Sequence, residues 1–235
     1  MRTVVFFLNF FLFGQAFGFK HFVLISAPGS GKGTLSQYLV EKYDYVQVCP
    51  GDIFRNEIRL QTALGKKIEP MVEKGNLVDE DIVCELMANY LVEIIAQNKC
   101  FVLDGFPRSV NSFHFLNKFI QDHGILDEVC FIQLLASDEV CINRVLERQV
   151  CTQCFKVYNA SLVKPQENNK CDKCGIDLII RQTDAEESFR KRLRYFHADI
   201  EPIIEMSKKL YTTRIINGEA ELDTLKRQYD ELLLN

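Results

Sequence analysis

The chain lacks any charge excess that would commit it to a polyanionic partner. Its formal net charge is −4 over 235 residues, which gives no global attraction to nucleic acid or to an anionic membrane. It also has little that could span a membrane. Its apolar leader, residues 1–19, carries Arg2 as its single charge, and Asn9, Gly14 and Gln15 break it before it reaches spanning length. The histidines are few. His21, His114, His123 and His197 share no ligand-like spacing, and they read as surface or helix-packing residues rather than as chemistry. What is left, 47% hydrophobic and 26% charged residues, describes a soluble globular chain long enough for one good-sized core with small insertions.

The leader allows three readings. A short basic start, an apolar stretch and Ala16-Phe17-Gly18 as a small-x-small site fit a secretory signal. An uncleaved anchor and a translation start placed too early fit as well. The fold that begins near Lys20 needs none of these residues.

The sequence then turns from an apolar run, Phe22-Val23-Leu24-Ile25, into Ser26-Ala27-Pro28-Gly29-Ser30-Gly31-Lys32-Gly33-Thr34, and on into an amphipathic stretch with Leu35, Leu39 and Val40. Strand, glycine-rich loop and helix in that order form a phosphate cradle. Glycines let backbone N–H groups approach phosphate oxygens, the helix N-terminus adds a favourable dipole, and Lys32 adds a full positive charge. Ser26 stands where the usual pattern opens with Gly. The plainer alternative is a Gly/Ser turn with a chance lysine. A second basic feature is the crowding of Arg181, Arg190, Lys191, Arg192 and Arg194, which reads either as a solvated helix face or as arginines for phosphate handling.

The nine cysteines divide into two groups. Cys49, Cys84, Cys100, Cys130 and Cys141 are scattered and read as small buried hydrophobes. Cys151, Cys154, Cys171 and Cys174 form two CxxC pairs sixteen residues apart. That spacing predicts a closed tetrahedral sulfur shell for a structural zinc ion; paired disulfides are the alternative in an oxidising compartment. The polar segment between the pairs has little core of its own, so metal binding would supply its folding free energy.

Strands read over 22–25, 46–49, 101–103, 128–135 and 214–216. Helices read over about 32–43, 53–60, 68–74, 79–96, 138–148 and 185–197, with another beyond Pro202 and a last one carrying Leu222, Leu225, Tyr229, Leu232 and Leu233 as core. The alternation predicts an α/β fold, a parallel five-stranded sheet covered by helices on both sides. Ligands belong at the strand C-terminal ends, where the 26–34 loop and Asp104 both fall. Asp104 reads as a turn or cap residue, or as a magnesium partner acting through water and facing the loop. Behind it come Gly105, Phe106, Pro107 and Arg108, and Arg108 offers a bidentate phosphate fork.

The loop, Pro50-Gly51-Asp52, Asp104-Gly105-Phe106-Pro107-Arg108 and the four-cysteine insert together resemble the adenylate kinases with a zinc-bearing lid, from about Lys20 to the C-terminus. The resemblance implies a P-loop kinase core over 20–48, 79–146 and 185–235. It also implies an inserted monophosphate-binding domain over 49–78 and a zinc lid over 147–184. It implies that Gly29, Ser30, Gly31, Lys32, Gly33 and Thr34 hold ATP phosphates, with Arg144, Arg148, Tyr158 and Ala220 against ATP. AMP would meet Pro50, Arg55, Asn76, Leu77, Val78, Gly105, Phe106, Pro107, Arg108 and Ser112. Arg181 and Arg192 would close on the transferring group, making Lys32, Arg108, Arg148, Arg181 and Arg192 the catalytic set.

The implied reaction is reversible and in line, ATP + AMP = 2 ADP, with magnesium on ATP, a structural zinc in the lid and no covalent intermediate. A monomer in the cytosol, with nucleotides rather than nucleic acid or membrane as partners, completes the expectation; a genuine leader signal would instead give a secreted or membrane-associated protein. Departures from the pattern fall on the AMP side. Pro50 replaces a hydroxyl residue, and Ser112 replaces the Gln that reads adenine, with Asn111 beside it as a substitute. Thr183 replaces a hinge Asp and leaves Asp184. Kinases of CMP, UMP or GMP, and a non-catalytic nucleotide-binding zinc protein, are the alternatives.

Overall fold

The structure is a computed structural model, and it describes residues 18–73, 78–160, 163–181 and 184–234. The leader through residue 17, Asn76, Leu77 and Thr183 lie outside the described residues. No helix among the described residues is long and apolar enough to cross a membrane.

Five strands form the predicted parallel sheet: β1 (His21–Leu24), β2 (Val46–Val48), β3 (Phe101–Asp104), β4 (Val129–Leu135) and β8 (Thr212–Asn217), in spatial order β2-β3-β1-β4-β8. The three central strands are apolar at consecutive positions, because a parallel sheet is covered on both faces. Side chains alternate between the two cores. Val23, Leu103 and Phe131 pack with Met87, Leu91, Phe113 and Ile203 on one face. Phe22, Leu24, Val102 and Ile132 pack with Leu35, Leu39, Leu225 and Tyr229 on the other. The first face is covered by α4 (Glu80–Ala96), α5 (Val110–Asp122) and α8 (Glu201–Leu210), the second by α1 (Lys32–Tyr43) and α9 (Leu222–Leu234). Leu225, Tyr229 and Leu233 are core, as their spacing predicts, with Leu232 partly buried against them; Leu222 is only half-buried at the start of the helix and outside this core.

Two insertions leave this body. After β2, α2 (Pro50–Arg59) and α3 (Ala63–Glu73) pack on each other. After α6 (Asp138–Leu146), a small antiparallel sheet of β6 (Val157–Asn159), β5 (Arg148–Cys151) and β7 (Leu178–Ile179) carries the four cysteines. The chain then returns through α7 (Glu186–Tyr195) and one π-helical turn, Phe196–Ile200, to α8.

Several boundaries differ from the sequence reading for local reasons. Helix α2 begins at Pro50, not 53, because proline suits the first helical turn, where its missing N–H is no loss. Helix α6 stops at Leu146, and Arg148 already belongs to β5. The sequence reading omitted α5 altogether. Its signal was present: Phe113, Leu116, Phe119 and Ile120 sit at helical spacing and are buried. Ser109 caps the helix, its hydroxyl accepting from Ser112 N at 3.0 Å while Ser112 Oγ accepts from Ser109 N at 2.9 Å.

Candidate active site

The phosphate-cradle loop runs from the end of β1 into α1, and its backbone shape demands glycine. Gly29 and Gly31 have φ of +83° and +109°. A Cβ on Gly29 would stand 2.6 Å from the carbonyl oxygen of Cys141 on α6, so the loop is also pressed against a neighbouring helix. Ser26, at the position where glycine is usual, has a structural use. Its hydroxyl accepts from Leu134 N at 2.6 Å, tying the loop start to β4. Ser30 Oγ is buried with no partner among the described residues, a polar group held ready inside the cradle.

Lys32 lies over this loop, its Nζ donating to the carbonyl oxygens of Ser26 at 2.8 Å and Ala27 at 2.7 Å. Burial pulls its pKa down to about 8; Asp104 works against that shift, and Arg108 adds to it. Lys32 therefore stays mainly charged at neutral pH. Asp104 ends β3 beside Leu24 in the sheet register. Burial pushes its carboxyl above the usual range while Lys32 pulls it back. Cys49, at the mouth of α2, is pushed up to about 12 by burial, with Asp104 and Asp52 adding to the shift, so it is a protonated thiol and not a nucleophile.

Two carboxylates each hold a pair of arginines. Asp184 has a fully buried side chain. It accepts from Arg148 Nε and an Arg148 terminal nitrogen at 2.8 and 2.6 Å, and from Arg192 at 3.0 Å. Asp52 pairs with Arg55 on its own helix and stands 4.0 Å from Arg181. The Nε of Arg55 is buried with no partner among the described residues. Burial, then Arg55 and Arg148, bring Arg181 down to about 10, still a cation at neutral pH. Burial also lowers Arg192, with Asp184 opposing. Lys32, Arg55, Arg108, Arg148, Arg181 and Arg192 thus face one cleft with Asp52, Asp104 and Asp184. Cations outnumber carboxylates there in a chain that is acidic as a whole. Such a cleft suits a polyphosphate.

The basic run that the sequence reading singled out separates in space. Arg192 turns into the cleft, while Arg190 pairs with Glu186 at 2.8 Å on an exposed face and Lys191 lies 5.8 Å over the Tyr195 ring. Arg144 reaches the carbonyl oxygens of Gly218 at 2.7 Å and Ser30 at 3.4 Å, which joins α6, the turn before Ala220 and the cradle. Phe106 and Pro107 are buried, and Gly105 brings the backbone close to Arg108. Pro50 is buried at the start of α2, and Val78 is half-buried.

Two residues expected against nucleotide have their hydroxyls engaged elsewhere. Tyr158 is buried; its hydroxyl lies 3.6 Å from Cys171 Sγ and accepts from Asp172 N at 2.8 Å. Ser112 has its hydroxyl in the α5 cap. Asn111 faces a different groove, of about 650 Å³, with Glu80, Cys84 and Phe115.

The four cysteine sulfurs of the insert lie within 4.8 Å of one another. The Cys154–Cys171 pair, at 3.6 Å, is far beyond a disulfide bond of about 2.05 Å. A tetrahedral zinc site with bonds of about 2.3 Å needs sulfurs roughly 3.8 Å apart, so the cluster fits a metal ion. Burial opposes ionisation at Cys171, yet the Tyr158 hydroxyl and the backbone N–H groups of Lys173 and Cys174 bring its thiol down to about 6; burial pushes the Cys154 thiol up to about 12, so a full set of thiolates requires the ion itself.

The adenylate kinase family profile matches residues 24–212. The adenylate kinase of Borreliella burgdorferi is 33% identical over 212 residues, covering 90% of this chain and 97% of that protein. The adenylate kinase of Chloroherpeton thalassium is 34% identical over 211 residues, covering 90% and 96%. That of Mesomycoplasma hyopneumoniae is 36% identical over 205 residues, covering 87% and 93%. With the loop, the paired arginines and the parallel sheet in the arrangement described, the chain belongs to the adenylate kinase family of phosphotransferases.

Proposed function

We propose that this chain transfers a phosphoryl group reversibly between ATP and AMP, giving two ADP, in the cleft between the cradle loop and α2. The observation that carries the reading is the gathering of Lys32, Arg108, Arg148, Arg181 and Arg192 around one space, with Arg148 and Arg192 held by the buried Asp184. Charge spreading over the equatorial oxygens of a transferring phosphoryl group needs that many fixed donors, and it needs no nucleophile from the protein.

On this reading, Gly29, Ser30, Gly31, Lys32, Gly33 and Thr34 bind the ATP phosphates. Arg144 aligns the cradle with the Gly218 turn, and Arg55 and Arg108 grip the AMP phosphate. Arg148, Arg181 and Arg192 close on the group in flight. The Asp104 side chain makes no hydrogen bond or ion pair to a described residue and faces Lys32, which suits a carboxylate that holds the water shell of magnesium. Magnesium, when bound with ATP, supplies charge neutralisation across the phosphates. The four cysteines would hold a zinc ion that stiffens the insert without entering the chemistry. Residues 147–184 then act as a lid over ATP and 49–78 as the monophosphate-binding unit, and closure of the two excludes water from the phosphoryl group.

The experiment is ADP formation from magnesium-ATP with AMP, CMP, UMP and GMP offered separately. The expected result is a strong preference for AMP. Preference for another monophosphate would overturn the acceptor assignment and point to Pro50 and Ser112. No turnover with any of them would overturn the kinase reading.

A further inference from the structure

The two cysteine knuckles fold alike but are built from different residues. In the second, Gly175 follows Cys174 with φ +70°, and its N–H donates to the Cys171 carbonyl at 2.8 Å. In the first, Phe155 follows Cys154 with φ +59°, and its N–H donates to the Cys151 carbonyl at 3.1 Å. The turn is the same, and glycine is the residue that suits it. A bulky aromatic side chain in the left-handed region is strained, and such strain persists where the side chain is needed.

The Phe155 ring reaches across to the other insertion. Its centroid lies 5.7 Å from the Arg55 guanidinium carbon. The two residues line a cavity of about 260 Å³ together with Ile58, Arg59, Ile179 and Arg181. Arg55 is thus held from two sides, by Asp52 on its own helix and by an aromatic face from the four-cysteine unit. A cation above a ring face is attracted by the ring quadrupole, most strongly where water is partly excluded.

We propose that Phe155 is a positioning residue for the phosphoryl acceptor: a clasp through which the four-cysteine unit, on reaching α2, fixes the Arg55 guanidinium toward the cleft. The clasp rests on the reading of Arg55 as a monophosphate-binding residue. It links closure over one nucleotide to the grip on the other, with no contact between Phe155 and either.

The test compares Phe155→Gly, Phe155→Leu and Phe155→Tyr with the wild-type protein, each as purified with its metal. Loss of the ring face is expected to raise the KM for AMP about fivefold or more in the Gly and Leu variants, with the KM for ATP unchanged; the Tyr variant behaves as wild type. The Gly variant keeps its metal and melts no lower than wild type, because it relieves the strained backbone. Proton NMR reads the contact without turnover: the Arg55 δ-protons are shifted upfield by the ring in the wild-type and Tyr proteins, and not in the Gly and Leu proteins. An unchanged KM for AMP in the Gly variant would overturn the clasp. So would a Leu variant equal to wild type, or a Gly variant that loses metal and stability. Failure of the wild-type protein to phosphorylate AMP would instead sink the reading of the site, and the Arg55 shift would then decide the clasp by itself.

Discussion

A buried carboxylate with two guanidinium partners is the unit from which this site is made. Asp184 alone in its pocket would be a desolvated charge; with Arg148 and Arg192 on its two oxygens it becomes the fixed point that aims both cations. The sequence places all three residues but carries no sign that one carboxylate serves both arginines, because the contact joins the end of the insert to α7 and to the start of β5. A different buried titratable residue makes the fold sensitive to acid. His21 stacks on Phe101 with ring centroids 4.0 Å apart, and its Nδ1 accepts from Phe101 N at 3.3 Å. Burial brings its pKa down to about 4, with Glu128 opposing. The folded state therefore refuses a proton that the unfolded chain accepts below its ordinary value of about 6.5. Stability is complete above that value and falls as the pH drops from there toward 4. Denaturant unfolding at about pH 7 and pH 5 should show the wild-type protein losing about 2 kcal/mol more than His21→Gln over that interval. Parallel losses in the two proteins would remove His21 as the cause.

At the scale of elements, the cradle works because three pieces of backbone press on it. Helix α6 blocks a side chain at Gly29, β4 holds Ser26, and the turn after β8 approaches Ser30 through Gly218. A Cβ on Gly218 would stand 2.8 Å from the Ser30 carbonyl oxygen and 3.0 Å from that of Leu135, neither of which can step aside. Gly218→Ala should raise the KM for ATP about tenfold or more, with a much smaller effect on AMP; equal changes for both nucleotides, or none, would show that the turn does not set the cradle. The glycine-rich loop itself was legible in the sequence, since its order of strand, loop and helix is local. The support around it was not, because Cys141, Leu134 and Gly218 are brought to the loop only by the parallel sheet. Tyr158 shows the same limit. Its place between the CxxC pairs was readable, while the turning of its hydroxyl onto Cys171 depends on how β6 pairs with β5. Helix α5 was legible and overlooked, its cap pairing two serines where a Glu or Gln commonly stands at the third position.

At the scale of the whole molecule, a central sheet carries two insertions that meet over its C-terminal edge. The sheet was readable from five apolar runs and the helices between them. The meeting of the insertions was not, since Arg55 and Phe155 are far apart in the chain and the left-handed turn at Phe155 carries no residue signature. Metal should matter here as architecture. The four-cysteine cluster packs with Tyr158 and Leu178 as its own small core, and without an ion it leaves a group of thiols in place of a cross-link. Cys171→Ser is expected to lose the bound zinc and to lower the melting temperature by about 5 °C or more; an unchanged melting temperature with no metal in the wild-type protein would refute the structural site.

The central claim is that the cleft moves a phosphoryl group from one nucleotide to another and keeps it from water. The direct measurement is transfer of γ-labelled phosphate from magnesium-ATP to AMP, with wild type and Lys32→Met side by side. The account predicts that the label appears in the β-phosphate of newly formed ADP, with two ADP made per ATP consumed. It also predicts a fall of about a hundredfold or more in the lysine variant. Label released as free phosphate, or transfer that survives unchanged without Lys32, would contradict it.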